Sequence, residues 1–231
     1  MERKITERDN FYWLLVALVL LLMSGSVFSQ LQLRSGAMLV GLGLLLTLIV
    51  CVWSLDRREW NWRSWRLGIA LATVCLVIAD KVFETPAFAL GELLGYFLFI
   101  SLSVYLVSRQ VLFTGNVDAN KIVGAVCIYI LLGFLWAFAY MLCEHLFPGS
   151  FSGLDSGVWQ ENLEQFLYYS MVTLTTLGYG DITPEQPVAQ FLAYMEGIVG
   201  IFYTTILVAS LIGVRLASMT APGSESQEDE K

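Results

Sequence analysis

Six apolar runs alternate with polar segments along the chain: Phe11–Phe28, Gly36–Leu55, Trp65–Ala79, Pro86–Ser108, Ile122–Cys143 and Pro187–Leu216. A helix crosses the hydrocarbon core with about 17–25 residues, a length that all the runs but Trp65–Ala79 reach. That shorter run spans only if Trp60, Trp62 and Trp65 anchor its near end while Arg66 snorkels. Between Cys143 and Pro187 the chain is too polar to span and too apolar for a simple loop. Within it, Asn162–Leu174 has a length suited to a helix crossing half the bilayer, with Asn162 as its cap. A glycine-containing stretch, Thr-Thr-Leu-Gly-Tyr-Gly-Asp, follows at once. Irregular backbone at membrane depth is tolerated only where it is buried in protein or lines a watery path. The pattern therefore predicts an all-α membrane protein with six transmembrane helices and a short re-entrant helix between the last two.

The basic residues orient this layout. Arg3, Lys4 and Arg8 precede the first run, and Arg57, Arg58, Arg63 and Arg66 lie between the second and third. Arg109 and Lys121 separate the fourth and fifth, and Arg215 and Lys231 close the chain. With six spans all of these fall on one side, and only Arg34 and Lys81 on the other. The excess of positive charge on one side places both termini in the cytoplasm, and the expected location is the plasma (inner) membrane. The first run, with its charged lead and small-residue exit, also has the outline of a secretory signal. Glu2, Glu7 and Asp9 dilute its basic region, so the expectation is a retained span.

Composition agrees with the membrane reading: 57% of residues are hydrophobic and 14% charged, against roughly 25% charged in soluble domains. The net charge of −7 does not mark an acidic soluble protein, because Glu225, Glu228, Asp229 and Glu230 crowd into the tail. Nothing is basic enough to imply nucleic acid. Cys51, Cys75, Cys127 and Cys143 fall in or beside apolar runs without metal-ligand spacing and read as small hydrophobes. A single histidine, His145, argues against bis-histidine haem and histidine-based zinc catalysis. No nucleophile–base pair or metal cluster points to an enzyme, and no cofactor is implied.

The stretch 175–181 carries the chemistry. A dehydrated cation needs oxygen ligands in place of its water shell. Backbone carbonyls supply them if successive residues turn them towards one axis, which L-residues resist. Glycine reaches left-handed conformations freely, and Gly178 and Gly180 occupy alternate positions. Carbonyls of Thr176, Leu177, Gly178 and Tyr179, with the Thr176 hydroxyl below, would then form stacked oxygen rings, and Gly180 completes the segment. Residues 168–181, Tyr-Tyr-Ser-Met-Val-Thr-Leu-Thr-Thr-Leu-Gly-Tyr-Gly-Asp, resemble the pore of the tetrameric potassium channel superfamily. The likeness covers Ile122–Leu216, and the whole chain is similar to small bacterial six-span channel proteins.

That resemblance implies a homotetramer in the lipid bilayer, with K+ as the permeant ion. It divides the chain into a cytoplasmic N-terminus (1–10), a four-helix transmembrane domain without gating charges (11–108), a cytoplasmic linker (109–121), a pore domain (122–216) and a disordered cytoplasmic tail (217–231). The pore domain comprises an outer helix, a pore helix (162–174), a selectivity filter (175–181) and an inner helix (187–216). Thr175 and Asp181 flank the ion-facing residues as filter support. Leu177 stands where valine is usual. Tyr168 and Tyr169 replace a tryptophan pair, and their hydroxyls are expected to bond near Tyr179 or Asp181. On the inner helix the superfamily pattern puts Gly200 at a hinge, with Ile201, Thr204 and Val208 facing the cavity. Val208 and Leu211 are candidates for a constriction that closes by dewetting. Close helix packing is the equal alternative for Gly200.

The outer segment Glu144–Glu185 contains Asp155, Glu161, Glu164 and Asp181 but no Lys or Arg, a mouth that would gather cations. Glu92 and Glu196 are acids inside spans, candidates for structural bonding or proton sensing. His145 at the outer mouth is a candidate sensor of external pH. The fourth run has no Arg or Lys, so opening driven by gating charges is not expected. With so short a tail, a cytoplasmic ligand-binding domain is not expected. Two further functional readings stay open in the sequence: a non-selective cation channel, whose filter would often lack the Tyr179-Gly180 half, and a non-conducting subunit that borrows the pore fold.

Overall fold

The structure, a computed structural model, describes residues 10–30, 68–78, 86–112, 119–154 and 159–220. Within them lie helices α1 (Asn10–Gln30), α2 (Gly68–Ile78), α3 (Pro86–Leu112), α4 (Ala119–Leu146), α5 (Trp159–Leu174) and α6 (Pro187–Thr220). Two short strands, β1 (Phe151–Ser152) and β2 (Thr183–Pro184), flank α5. Proline opens both α3 and α6, where its missing N–H is not needed and its fixed φ suits the first turn. Pro148 lies just beyond the end of α4.

Among the described residues, three stretches are long and apolar enough to cross a membrane: Phe88–Val111 of α3, Asn120–Leu146 of α4 and Pro187–Leu207 of α6. The chain is a membrane protein. Shorter apolar stretches occur in α1 (Phe11–Met23) and α2 (Gly68–Ile78). The expected span Gly36–Leu55, the ends of Trp65–Ala79, and the terminal stretches 1–9 and 221–231 lie outside the described residues. Two boundaries differ from the sequence reading. The linker expected over 109–121 is narrowed by helix at both ends, to Leu112 and from Ala119. The helix expected from Asn162 begins at Trp159, so Asn162 sits in its first turn and is not its cap. Trp159-Gln160-Glu161 carry no helix breaker, and an acid there suits the positive end of the helix dipole.

Helix α4 is the hub, packing against α1, α3, α5 and α6. Each neighbour offers it one stripe. On α1 the buried residues are Phe11, Leu14, Leu18 and Leu21, and on α3 they include Leu93, Tyr96, Ile100, Ser103 and Val107. Spacings of three and four keep each set on one face. Tyr96 stacks on Phe138 of α4 at 5.5 Å. Between lipid-facing helices the driving force is close van der Waals packing rather than water exclusion, which favours small residues at contacts. Gly91 and Gly95 fit that rule: a Cβ on Gly95 would come 2.8 Å from Thr73 Oγ1 of α2.

The connection after α4 is tied by one carboxylate. Glu144 accepts N–H bonds from Gly149 (2.7 Å), Ser150 (2.8 Å) and Phe151 (3.1 Å). Strands β1 and β2 then pair antiparallel, Phe151 opposite Pro184 and Ser152 opposite Thr183. Gly153 touches the chain beyond the glycine-rich stretch so closely that a Cβ there would lie 2.0 Å from the Asp181 carbonyl oxygen. Phe151 enters a ring cluster with Tyr140 (5.4 Å), Phe166 (5.3 Å) and Tyr169 (5.6 Å). This connection therefore holds the segment after residue 181 to α4 and α5.

Candidate functional site

Helix α5 has 16 residues, about 24 Å of rise, and packs between α4 and α6. It ends in a recognisable cap. The Thr176 N–H bonds the Thr173 carbonyl at 2.9 Å and the Leu177 N–H bonds the Val172 carbonyl at 2.9 Å. That pair of bonds is the Schellman arrangement, and it requires a left-handed residue at the position Thr176 holds. Thr176 has φ 60°, the one non-glycine residue with positive φ among those described. For a β-branched side chain this is a strained conformation, held by the surrounding bonds.

Beyond the cap the backbone alternates. Thr176 (φ 60°), Gly178 (φ 58°) and Gly180 (φ 80°) are left-handed, while Leu177 and Tyr179 between them are not. The sequence pointed to the two glycines and missed Thr176, whose conformation comes from the cap rather than from its own preference. The whole stretch 175–181 is exposed on the single chain, with Leu177 at 57% and Tyr179 at 67%. Thr175 turns its hydroxyl back to the Met171 carbonyl at 2.7 Å.

The two tyrosines of α5 take different places. Tyr168 stacks on Tyr179 at 6.4 Å with ring planes 7° apart, and its hydroxyl donates to Asp181 Oδ2 at 2.7 Å. Tyr169 is buried in the ring cluster, 5.0 Å from Tyr140, and does not share that role. Only one of the pair meets the expectation of bonding near Tyr179 or Asp181, because residues adjacent on a helix point about 100° apart.

The Tyr168 hydrogen bond holds the Asp181 carboxyl below the usual aspartate range, helped by backbone N–H groups of Asp181 and Ile182. A carboxylate depressed in the folded state adds stability that is present above its unfolded value and lost as pH falls through the folded one. Tyr168→Phe is therefore expected to move the Asp181 titration to higher pH. Infrared or NMR titration of carboxyl-labelled aspartate reads this directly, and an unchanged midpoint would refute the link.

On α6, Gly200 lies against the last residue of α5: a Cβ on Gly200 would stand 2.2 Å from the Leu174 carbonyl oxygen. The same oxygen accepts a bond from Tyr129 Oη of α4 at 3.1 Å. One turn on, Tyr203 Oη donates to the Ala125 carbonyl at 2.6 Å and stacks on Tyr129 at 5.7 Å. Of the two readings open for Gly200, the geometry gives close packing a definite partner. Ile201 is 56% exposed, and Thr204 is exposed with its hydroxyl turned back to the Gly200 carbonyl at 3.0 Å. Val208 and Leu211 belong to α6, and their side chains lie outside the described residues. Of the expected acidic mouth, Asp181 is exposed, Glu164 is half-buried, and Asp155 and the side chain of Glu161 lie outside the described residues. Glu92 and Glu196 are both buried.

Comparison with known proteins finds matches to part of the chain. Residues 126–215 match the family model described as "Ion channel". Among curated proteins, the "Two pore potassium channel c" of Oryza sativa subsp. japonica is 32% identical over 87 residues, 36% of this chain and 19% of that protein. The "Inward rectifier potassium channel Kirbac3.1" of Paramagnetospirillum magnetotacticum is 31% identical over 98 residues, 41% of this chain and 29% of that protein. The chain spans less than a third of the length of either relative.

Proposed function

We propose that this chain is a member of the potassium channel superfamily and conducts K+ passively and selectively through a pore built from four copies, a reading supported by the match to the ion channel family and to two potassium channels. The observation that carries the reading is the segment Thr176–Gly180: alternating left-handed backbone, directly after a half-length helix wedged between two membrane-capable ones. Alternation is what lets consecutive carbonyls face one axis. Four copies around that axis would stack rings of oxygens from Thr176, Leu177, Gly178 and Tyr179, with the Thr176 hydroxyl at the inner end, in place of the ion's water.

The surroundings support this role. Tyr168 braces Tyr179 by stacking and Asp181 by its hydrogen bond, which steadies the outer end of the filter. Asp181 stays ionised at neutral pH and, with no Lys or Arg from Glu144 to Glu185, favours cations at the mouth. The C-terminal end of α5 directs its partial negative charge towards the inner end of the filter. Phe191, Tyr194, Ile198, Ile201, Phe202 and Ile206 leave a broad apolar surface on α6, the area that neighbouring copies and lipid would cover.

In this account the chain spans the plasma membrane six times with both termini inside, and the uncharged Pro86–Ser108 leaves opening independent of gating charge. Ile201 and Thr204, both exposed on α6, line the path below the filter. Vesicles loaded with K+ and holding the purified chain should take up protons through an added protonophore as K+ leaves. Vesicles loaded with Na+ should not. Equal proton uptake in both would overturn selectivity, and none in either would overturn conduction.

A further inference from the structure

Glu196 is fully buried on α6, one turn before Gly200, and conduction as described makes no use of it. Two hydroxyls meet its carboxyl. Tyr140 of α4 donates to Oε2, and Ser170 of α5 places Oγ 2.5 Å from Oε1. Ser170 Oγ also lies 2.8 Å from the carbonyl oxygen of Gly133 on α4. Tyr140, Ser170 and Glu196 are each 0% exposed.

The protons can be counted. A hydroxyl carries one hydrogen, and a backbone carbonyl only accepts, as does a carboxylate. With Glu196 ionised, Ser170 would face two acceptors with one proton, and one close buried contact would have none. With Glu196 a carboxylic acid, every contact is filled: Tyr140 O–H donates to Oε2, the acid O–H donates from Oε1 to Ser170 Oγ, and Ser170 O–H donates to the Gly133 carbonyl. The titratable groups facing the carboxyl are phenols, Tyr140 and Tyr129 from α4 and Tyr169 from α5. Among described basic side chains, Lys121 stands 19 residues before Tyr140 on α4, about 28 Å away, and Arg109 is in the last turn of α3 near that same end. His145 lies five residues beyond Tyr140 on α4, about 7.5 Å of rise, and the two groups bonded to the Glu196 carboxyl, Tyr140 and Ser170, are neutral hydroxyls.

We propose that Glu196 is a positioning residue for the filter: as a neutral carboxylic acid it carries a hydrogen-bond chain that pins α5 to both α6 and α4. The inference rests on the potassium-pore reading. Glu196 with Ser170, and Gly200 with Leu174, are successive contacts of the same two helices, four residues apart on each. Leu174 immediately precedes the filter, so a shift of α6 at Glu196 is passed to the filter within one turn. Glu196 thus sets where the filter begins without touching an ion.

The test uses the full chain in vesicles, as wild type, Glu196→Gln, Glu196→Leu and Ser170→Ala. A wild type without selective K+ flux would overturn the pore reading, and with it any filter role for Glu196. Given a selective wild type, the amide of Glu196→Gln can donate to Ser170 and accept from Tyr140, so its K+/Na+ permeability ratio should stay within about twofold. Glu196→Leu and Ser170→Ala should lower the ratio by about fivefold or more, the change that losing ~1 kcal/mol of buried hydrogen bonding corresponds to. Should Glu196→Leu fail to fold, Ser170→Ala carries the same comparison. Infrared spectra at neutral pH should show a carboxylic-acid C=O band in wild type that is missing from Glu196→Gln. A ratio unchanged in Glu196→Leu or Ser170→Ala overturns the proposal. So does Glu196→Gln falling as far as Glu196→Leu, or the absence of that band.

Discussion

Gly200→Ala is expected to cut K+ flux by at least about tenfold and to lower the thermal midpoint, because its Cβ would sit 2.2 Å from a backbone oxygen. Neither partner yields easily. The oxygen belongs to Leu174, the last residue of α5, and it already accepts a bond from Tyr129. Overpacking of this kind typically costs about 1–3 kcal/mol, and here it pushes α6 away from the base of the filter. A pure hinge makes the opposite forecast for stability. Removing a flexible glycine from a helix stabilises it by roughly 1 kcal/mol, so a hinge mutant would melt higher while opening less. Gly197 supplies the control on the same helix. A Cβ there meets nothing within 4 Å, so Gly197→Ala should leave flux intact and raise the midpoint slightly. A higher midpoint in Gly200→Ala, matching Gly197→Ala, would refute the packing account.

Gly178→Ala should abolish discrimination between K+ and Na+ for a different reason. Within its own chain a Cβ at Gly178 meets no atom within 4 Å, so the cost inside each copy is conformational. At φ 58° an L-residue is disfavoured by about 1–2 kcal/mol, and in a ring of four the penalty recurs in every copy. The cheapest relief is for the peptide to rotate, which takes a carbonyl away from the axis. The expected result is a tetramer of normal size and melting behaviour whose vesicles leak K+ and Na+ alike or neither. Size-exclusion chromatography beside parallel ion-flux assays reads both, and a fully selective Gly178→Ala would remove carbonyl alternation as the basis of the site.

Much of this site is legible along the chain, for physical reasons. Two glycines at alternate positions after a half-length helical pattern leave few conformations open, so 178 and 180 announce themselves. Thr176 does not, since a β-branched residue prefers the opposite sign of φ. Its conformation is imposed by bonds to Val172 and Thr173, which only the finished helix end creates. The β1–β2 pair is two residues long on each side and leaves no alternating pattern to read. Phe151 looks like any loop aromatic until it meets Tyr140, Phe166 and Tyr169.

Long-range partners account for the rest. Glu196 stands out in the sequence as an acid in an apolar run, yet its meaning depends on Tyr140, 56 residues earlier, and Ser170, 26 earlier. Gly200 reads equally as hinge or contact until the Leu174 oxygen is found beside it. Tyr168 and Tyr169 are chemically identical in sequence and are separated only by which side of α5 faces Tyr179 and Asp181. Asn162 was the natural cap by residue type, but good helix formers ahead of it carried the helix a further turn.

The central claim is potassium selectivity of the Thr176–Gly180 segment, and one electrical measurement addresses it most directly. The purified chain, reconstituted in a planar bilayer with K+ on one side and Na+ on the other, should give currents that fail to reverse until the potential approaches the limit set by K+ alone. A reversal potential near zero would mean that both ions pass equally, and would contradict the account.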